Sequence, residues 1–494
     1  MTIPKVAINR LATGVPGLDA VLGGGIPEFS FNLIAGQPGS GKTTLAHQMM
    51  FALASVERPA LYFTVLGEPA LKMMRYQQQF AFYDASAVNT SIRFVNLSEE
   101  ALTGDLDLIL QRIVTEVKLA NPSLVFIDSF RSVALASLAV GSPSTRLQSF
   151  VQQLGMHMTS WEATTFLLGE YHNDGDANPV FTVADGIFWL RQSVERNSMV
   201  RKLELLKMRG QPTLPGLHSF RISASGITIF APPEPPPTRL NNADSMSARV
   251  PMGVPGLDEM LGGGLPRGYS LLVAGPSGSG KSVLASAFLA EGARGGETGV
   301  IASFEQDANR TRNQVLSKLI VAGQVSIVAS PAPDLSVGEI LLQIVHAVRR
   351  QQATRVVIDS LSGLELALAP TFRIDFRETL LRLVSALAVE GVTVLMTSEL
   401  EDRYTDLRFS PYGTAFMTDA IIVQRYIEVD SRLRRVMAAV KVRGSTHSDE
   451  LREYTIGAGG IEIGEALYDQ EGLLGGRPTR QPQRLVASTS PPVM

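Results

Sequence analysis

Residues 13–44 read TGVPGLDAVLGGGIPEFSFNLIAGQPGSGKTT, and residues 252–283 read MGVPGLDEMLGGGLPRGYSLLVAGPSGSGKSV. They are one pattern written twice: Gly14 maps to Gly253 and Lys42 to Lys281, 239 residues apart in both cases. A repeat of this kind decides how the chain divides before any element is assigned. Each copy holds a short apolar run, Phe31–Ala35 or Ser270–Ala274, that breaks into a glycine-rich turn. The turns run from Gly36 to Thr43 and from Gly275 to Ser282, and both fit GxxxxGK[ST]. Glycines let the backbone N–H groups there converge on one point, and the following helix N-terminus favours a phosphate. Two nucleotide sites are therefore expected, for ATP with Mg²⁺. Their contacts would be Gly39, Ser40, Gly41, Lys42, Thr43 and Thr44 in the first, and Gly278, Ser279, Gly280, Lys281, Ser282 and Val283 in the second. In such a loop the lysine reaches the β- and γ-phosphates, and the Thr43 and Ser282 hydroxyls ligate the metal.

Working outward, the repeat continues. LVFIDS ending at Ser129 matches RVVIDS ending at Ser360, and KMRG at 207–210 matches KVRG at 441–444. The offset drops to 231 at Asp128 and Asp359, so the first copy carries 8 extra residues between its early strand and its aspartate strand. Strand-like runs at Leu61–Val65, Val125–Ile127, Val300–Phe304 and Val356–Ile358 alternate with helical patterns at Lys42–Val56, Leu106–Val117 and Lys281–Glu291. Near-continuous apolar strands alternating with helices predict an α/β fold, a mostly parallel sheet covered on both faces, in each of two tandem domains. The expected limits are 1–230 and 246–474, joined by the proline-rich spacer 231–245 and followed by a flexible tail, 475–494.

Composition narrows the function. The 494 residues are 45% apolar and 18% charged, enough to bury sizeable cores. Forty-four Lys+Arg against 47 Asp+Glu leave −3, which disfavours a globally basic nucleic-acid binder. With no cysteine, disulfide scaffolds, thiolate metal sites and Cys nucleophiles are excluded. No apolar run nears the roughly 18–20 residues that span a bilayer, and MTIPKVAINR lacks a signal-peptide core. A soluble, cytoplasmic protein without a membrane partner is expected.

Asp128 and Asp359 each cap an apolar strand and fit the acidic residue of a P-loop metal shell; a turn-capping aspartate is the simpler alternative. A water-positioning carboxylate belongs at the end of a neighbouring strand, where the second copy has Glu305. The first copy has Leu66 and Gly67 at the positions of Glu305 and Gln306, with only Glu68 nearby. The second site is thus expected to hydrolyse and the first to turn over slowly or only bind. Catalytic candidates are Lys42, Asp128, Lys281, Glu305 and Asp359. Lys207-Met208-Arg209-Gly210 and Lys441-Val442-Arg443-Gly444 put a Lys and an Arg on one face of a late strand. They are expected to serve a neighbouring subunit's nucleotide in a ring, the alternative being a solvated basic strand end.

PGLDxxLGGGxP, the P-loop, IDS and KxRG, all in duplicate from about residue 10 to about 475, resemble the KaiC family of bacterial circadian-clock proteins. The resemblance implies a RecA-like fold, a double-ring hexamer, ATPase activity and serine/threonine autokinase activity. It also implies that Arg201 and Arg435, six residues before the KxRG lysines, join the in-trans contacts, and that Glu305 is the second domain's general base. Two departures matter. The paired acids of clock members read here Leu66-Gly67 and Glu305-Gln306, and the adjacent Ser-Thr phosphoacceptors read Ala415-Phe416 before Met417-Thr418-Asp419. Neither Ala nor Phe can accept phosphate; Ser410, Tyr412, Thr414 and Thr418 are the nearby hydroxyls. Three readings compete: a KaiC-like ring ATPase with clock-type or stress-signalling output, a RecA/RadA-type DNA-dependent motor, and an ATP-gated scaffold. The tail, RPTRQPQRLVASTSPPVM, is a plain end or a partner-docking segment.

Overall fold

The structure, a computed structural model, describes residues 8–65, 70–130, 133, 144–171, 179–195, 198–231, 248–304, 313–329, 334–373, 376–400, 417–429, 431–467, 470–471 and 479–480. Two compact units emerge, Met1–Ala231 and Pro232–Met494.

The first unit is built from β1 (Phe31–Gly36), α1 (Lys42–Leu53), β2 (Ala60–Thr64), β3 (Ile92–Asn96), α2 (Leu106–Ala120), β4 (Leu124–Asp128), α3 (Ser144–Ser160) and β5 (Thr164–Glu170). It ends with β6 (Gly186–Glu195), β7 (Ser198–Met208), β8 (Leu217–Ser223) and β9 (Gly226–Ile229). These strands form one 9-stranded sheet in the order β9-β8-β7-β6-β1-β5-β4-β2-β3. The six from β6 to β3 run parallel, and β7, β8 and β9 extend the sheet antiparallel. Successive strand residues face opposite ways, and both faces are buried. Leu33, Ala35, Phe63, Val125 and Ile127 enter one core with α2 and α3. Ile34, Tyr62, Phe126, Phe166 and Phe188 enter the other with α1. That two-sided burial is why the strands read as unbroken apolar runs.

The second unit repeats the plan with β10 (Ser270–Gly275), α4 (Lys281–Arg294), β11 (Gly299–Ala302), β12 (Val325–Val328), α5 (Val337–Gln351), β13 (Arg355–Ile358), α6 (Phe376–Val389) and β14 (Thr393–Glu399). β15 (Ala420–Val429), β16 (Arg432–Val442), β17 (Arg452–Gly457) and β18 (Gly460–Ala466) complete the sheet β12-β11-β13-β14-β10-β15-β16-β17-β18. Ala60 stands opposite Ile92 and Gly299 opposite Val325. The offset between copies therefore falls from 239 to 233 by that strand pair and reaches 231 at Leu124 and Arg355, so most of the extra length precedes β3.

Beyond the second sheet, Thr479 and Arg480 pair antiparallel with Gln470 and Glu471. The spacer at 232–245 lies outside the described residues.

Candidate functional site

In each unit the P-loop strand, β1 or β10, has neighbours whose chain connections leave in opposite directions. Ligands of such sheets sit at the carboxyl edge at this point. Gly39 and Gly41 have φ of 75° and 104°, and Gly278 and Gly280 have 77° and 98°, the left-handed region that favours glycine. A methyl on Gly41 would come within 2.9 Å of Ile222, and one on Gly280 within 2.6 Å of Ile456. Ser40 and Ser279 are buried beneath the loops. Ser279 donates to Gln424 Oε1 at 3.0 Å, while Ser40 Oγ has no hydrogen-bond partner among the described residues. Lys42 opens α1, is 7% exposed, and donates from Nζ to the Gln37 carbonyl at 2.9 Å. Lys281 opens α4 and donates to the Gly275 and Pro276 carbonyls at 2.8 Å each. Both ammonium groups thus curl over their own loops. Burial lowers the Lys42 pKa, opposed by the carboxylates of Glu170 and Asp128. Thr44 and Val283 follow in the first helical turn.

Beside the lysine lies an all-oxygen pair. Thr43 Oγ1 donates to Asp128 Oδ2 at 3.0 Å, and Tyr62 OH donates to that same oxygen at 2.8 Å. Burial raises the Asp128 pKa; the bonds from Tyr62 and Thr43 and the charge of Lys42 oppose that rise. In the second unit Asp359 accepts from Thr397 Oγ1 at 2.5 Å. A hydroxyl and a carboxylate suit a hard ion such as Mg²⁺, which takes one or two protein oxygens and completes its shell from phosphates and water. Among the described residues, no group of three or more His, Cys, Asp or Glu could hold a metal ion.

The basic strands have two ends. Lys207, on β7, donates to the Phe181 and Thr182 carbonyls at 3.3 and 3.1 Å, and Arg209 pairs with Asp185 at 3.1 Å. Asp185 in turn accepts from the N–H of Phe31, the first residue of β1, whereas the P-loop begins at its last. Lys441 donates to the Thr418 carbonyl at 2.7 Å and Arg443 pairs with Asp419 at 3.5 Å, with Asp419 accepting from Ser270 at the start of β10. Each KxRG pair therefore lies at the far edge of the sheet from its own P-loop. Arg201 and Arg435, about 20 Å back along the same strands at ~3.3 Å per residue, lie at the P-loop edge. Arg201 stands opposite Gln192, which donates to the Pro38 carbonyl. Arg435 covers the Tyr426 ring at 5.5 Å and stands opposite Tyr454, whose hydroxyl donates to the Ser279 carbonyl at 2.6 Å. Met208 closes β7 and Val442 closes β16, while Gly210 and Gly444 turn the chain with φ of 82° and 60°.

A family model described as "ATPase: KaiC" matches residues 11–234 and, again, 250–468. The chain belongs to the KaiC ATPase family. It is 27% identical to the circadian clock oscillator protein KaiC of Picosynechococcus sp. over 487 residues, covering 96% of this chain and 93% of that protein. It is 26% identical to KaiC 1 of Synechocystis sp. over 492 residues (97% and 93% covered) and 25% identical to KaiC of Prochlorococcus marinus over 487 (96% of each). Two KaiC-type domains, each a mostly parallel nine-stranded α/β sheet, make this chain a RecA-like tandem ATPase.

Not every predicted residue falls on described chain. Glu305, Gln306, Leu66, Gly67, Glu68, Ser410, Tyr412, Thr414, Ala415 and Phe416 lie outside it. Thr418 is described and is 0% exposed, so its hydroxyl is not open to a donor. Sequence reading missed Tyr62 and Thr397, and it also missed Glu170 and Glu399. These glutamates end β5 and β14 directly opposite Gly36 and Gly275. LLGE and MTSE carry the signal in both copies, an acid closing a buried strand beside the P-loop strand.

Proposed function

We propose that this KaiC-family chain assembles into a ring, expected to be a hexamer, in which two unequal ATP sites per subunit are completed by neighbours. The carrying observation is the position of Lys207–Arg209 and Lys441–Arg443 at the opposite sheet edge from their own P-loops. Positive charge there cannot serve the subunit's own nucleotide, whereas a neighbour's phosphates would gain from it; an arginine supplied in trans is worth ~10³–10⁵ in rate. Arg201 and Arg435 lie at the P-loop edge of their own sheets, and the family likeness alone groups them with the in-trans contacts. In this reading Lys42 and Lys281 hold phosphate, and Thr43, Ser282, Asp128 and Asp359 hold Mg²⁺ directly or through its water. Glu305 orients water in the second domain. Leu66 stands at the corresponding chain position of the first, which supports slow turnover there.

The KaiC relatives are clock oscillator proteins by name, and an output of timing or stress-signalling type, read through nucleotide state in the cytoplasm, is proposed for this chain by that likeness. Clock-type phosphorylation is not part of the proposal. Ala415-Phe416 offers no hydroxyl, and Thr418 is buried. A DNA-dependent motor has less support: its best candidate basic patch, Arg373, Arg377 and Arg382, is interrupted by Asp375 and Glu378, Arg373 bonds the Leu366 and Leu368 carbonyls and Arg382 pairs with Glu378.

Mixing subunits tests the ring. Lys42→Ala/Lys281→Ala chains lack working P-loops, and Arg209→Ala/Arg443→Ala chains lack the donated arginines. Each alone should fall at least ~10³-fold in ATP hydrolysis, yet the mixture should recover part of the rate and run as a ring by native mass spectrometry. No recovery from mixed rings would mean that each site is complete within one subunit.

A further inference from the structure

The two metal-shell aspartates are held by different neighbours, and the exchange is reciprocal. Asp128 on β4 receives its hydroxyl from Tyr62 on β2, on one side; Asp359 on β13 receives one from Thr397 on β14, on the other. At the position of Tyr62 the second domain has Ile301, since Ala60 matches Gly299 and Ile301 lies opposite Val357. At the position of Thr397 the first domain has Leu168, since Thr164 and Thr393 begin their strands and Leu168 lies opposite Asp128. Ile301 and Leu168 are both buried and have no polar side-chain atom. Each domain therefore keeps one donor and fills the opposite flank with an aliphatic residue.

We propose that Tyr62 and Thr397 are equivalent positioning residues. Each holds its aspartate carboxylate in place on the strand beside the P-loop, so that the carboxylate is set for a Mg²⁺-bound nucleotide. This rests on reading both P-loops as Mg²⁺–nucleotide sites. The first domain shows the geometry fully, because Tyr62 and Thr43 meet on one carboxylate oxygen of Asp128. The Tyr62 ring is clamped at its base by stacking on Phe126 at 6.0 Å, with His47 at 4.6 Å and Phe94 at 5.5 Å. The hydroxyl is thereby aimed by a fixed ring, and Tyr62→Phe removes the donor while keeping the packing. Groups that hold a metal-shell ligand in place typically matter ~10–100-fold in metal affinity.

The test uses the full chain with Lys281→Ala, which leaves the first site to be read by a fluorescent mant-ATP probe. Mg²⁺ is titrated, and probe affinity is also measured in EDTA. Tyr62→Phe should raise the half-saturating Mg²⁺ about tenfold and leave the EDTA affinity within about twofold. Tyr62→Phe with Leu168→Thr, which moves the donor to the flank used by the second domain, should recover at least half of that loss. In the opposite background, Lys42→Ala, Thr397→Val should shift Mg²⁺ at the second site alike. An unchanged Mg²⁺ half-point overturns the inference, as does an equal loss with and without Mg²⁺, which would mark Tyr62 as packing alone. A parent site that takes no probe with Mg²⁺ would sink the nucleotide-site reading itself, a result distinct from an unaltered Tyr62→Phe.

Discussion

Glu305 and Leu66 occupy matched chain positions, each three residues beyond a residue of matched register, Ala302 facing Ile358 and Phe63 facing Ile127. Only the glutamate can orient a water, so Glu305→Gln should cut phosphate release by ~10²–10⁴-fold at the second site while nucleotide affinity is retained. A single-turnover assay reads both, and unchanged release would remove Glu305 from the mechanism. His47, on α1 one turn past Thr43, is 1% exposed and packs against the Tyr62 ring at 4.6 Å. Burial lowers its pKa from 6.5 to about 4. An unfolded chain thus binds a proton that the folded domain refuses, and stability falls as pH drops from about 6.5 toward 4. The full effect is on the order of 3 kcal/mol. His47→Leu should flatten the first domain's melting temperature across that window, and an acid limb of undiminished size would refute the assignment. The second domain has Ser286 at this position and should lack the effect.

At the scale of elements, the two domains solve one junction differently. β4 begins with the apolar Leu124, whereas β13 begins with Arg355, which is 4% exposed. Arg355 donates to Glu297 at 2.6 Å and to the Pro251 and Phe288 carbonyls at 2.8 Å each, and it lies over the Phe288 ring. Burial pushes Glu297 up, but the bonds from Arg355 and Arg267 outweigh it and the carboxyl ends below its usual pKa. Gly292 on α4 makes the room: a methyl there would lie 2.5 Å from Arg355 Nε. Gly292→Ala should therefore destabilise the second domain by about 1–3 kcal/mol despite the better helix propensity of alanine. Hydrogen exchange at α4 and β13 would show it; equal or slower exchange would mean that the arginine has room to move. The PGLD repeat has a similar cause. Asp19 accepts from the Thr13 N–H at 2.9 Å and Asp258 from the Met252 N–H at 2.6 Å, closing the turn. A methyl on Gly17 would collide with the Ile229 carbonyl of β9, and one on Gly256 would press on Ile463 of β18.

For the whole molecule, the tandem ATPase and the clock-type acceptor pair separate. Intact mass after incubation with ATP and Mg²⁺ should show no stoichiometric phosphate, because Ala415 and Phe416 have no hydroxyl and Thr418 is 0% exposed. One phosphate per chain on any Ser or Thr near 410–418 would restore the autokinase reading. With 44 Lys+Arg against 47 Asp+Glu, the chain has no overall excess of positive charge with which to hold a nucleic-acid backbone.

The P-loops, the aspartate strands and the duplication were all legible, because each depends on residues adjacent in the chain. Glycines at Gly39, Gly41, Gly278 and Gly280 and apolar runs buried on two faces announce themselves locally. So the sequence by itself determined two nucleotide-binding α/β domains. It could not tell which hydroxyl steadies each aspartate. Tyr62 and Asp128 are 66 residues apart and Thr397 and Asp359 38 apart, and strand order alone makes them neighbours. Nor could it show that one strand carries Arg201 to the P-loop edge and Lys207 to the opposite one. Those facts belong to the tertiary structure, because a sheet joins strands by hydrogen bonds across the chain, and their order is not written in the periodicity of any one of them.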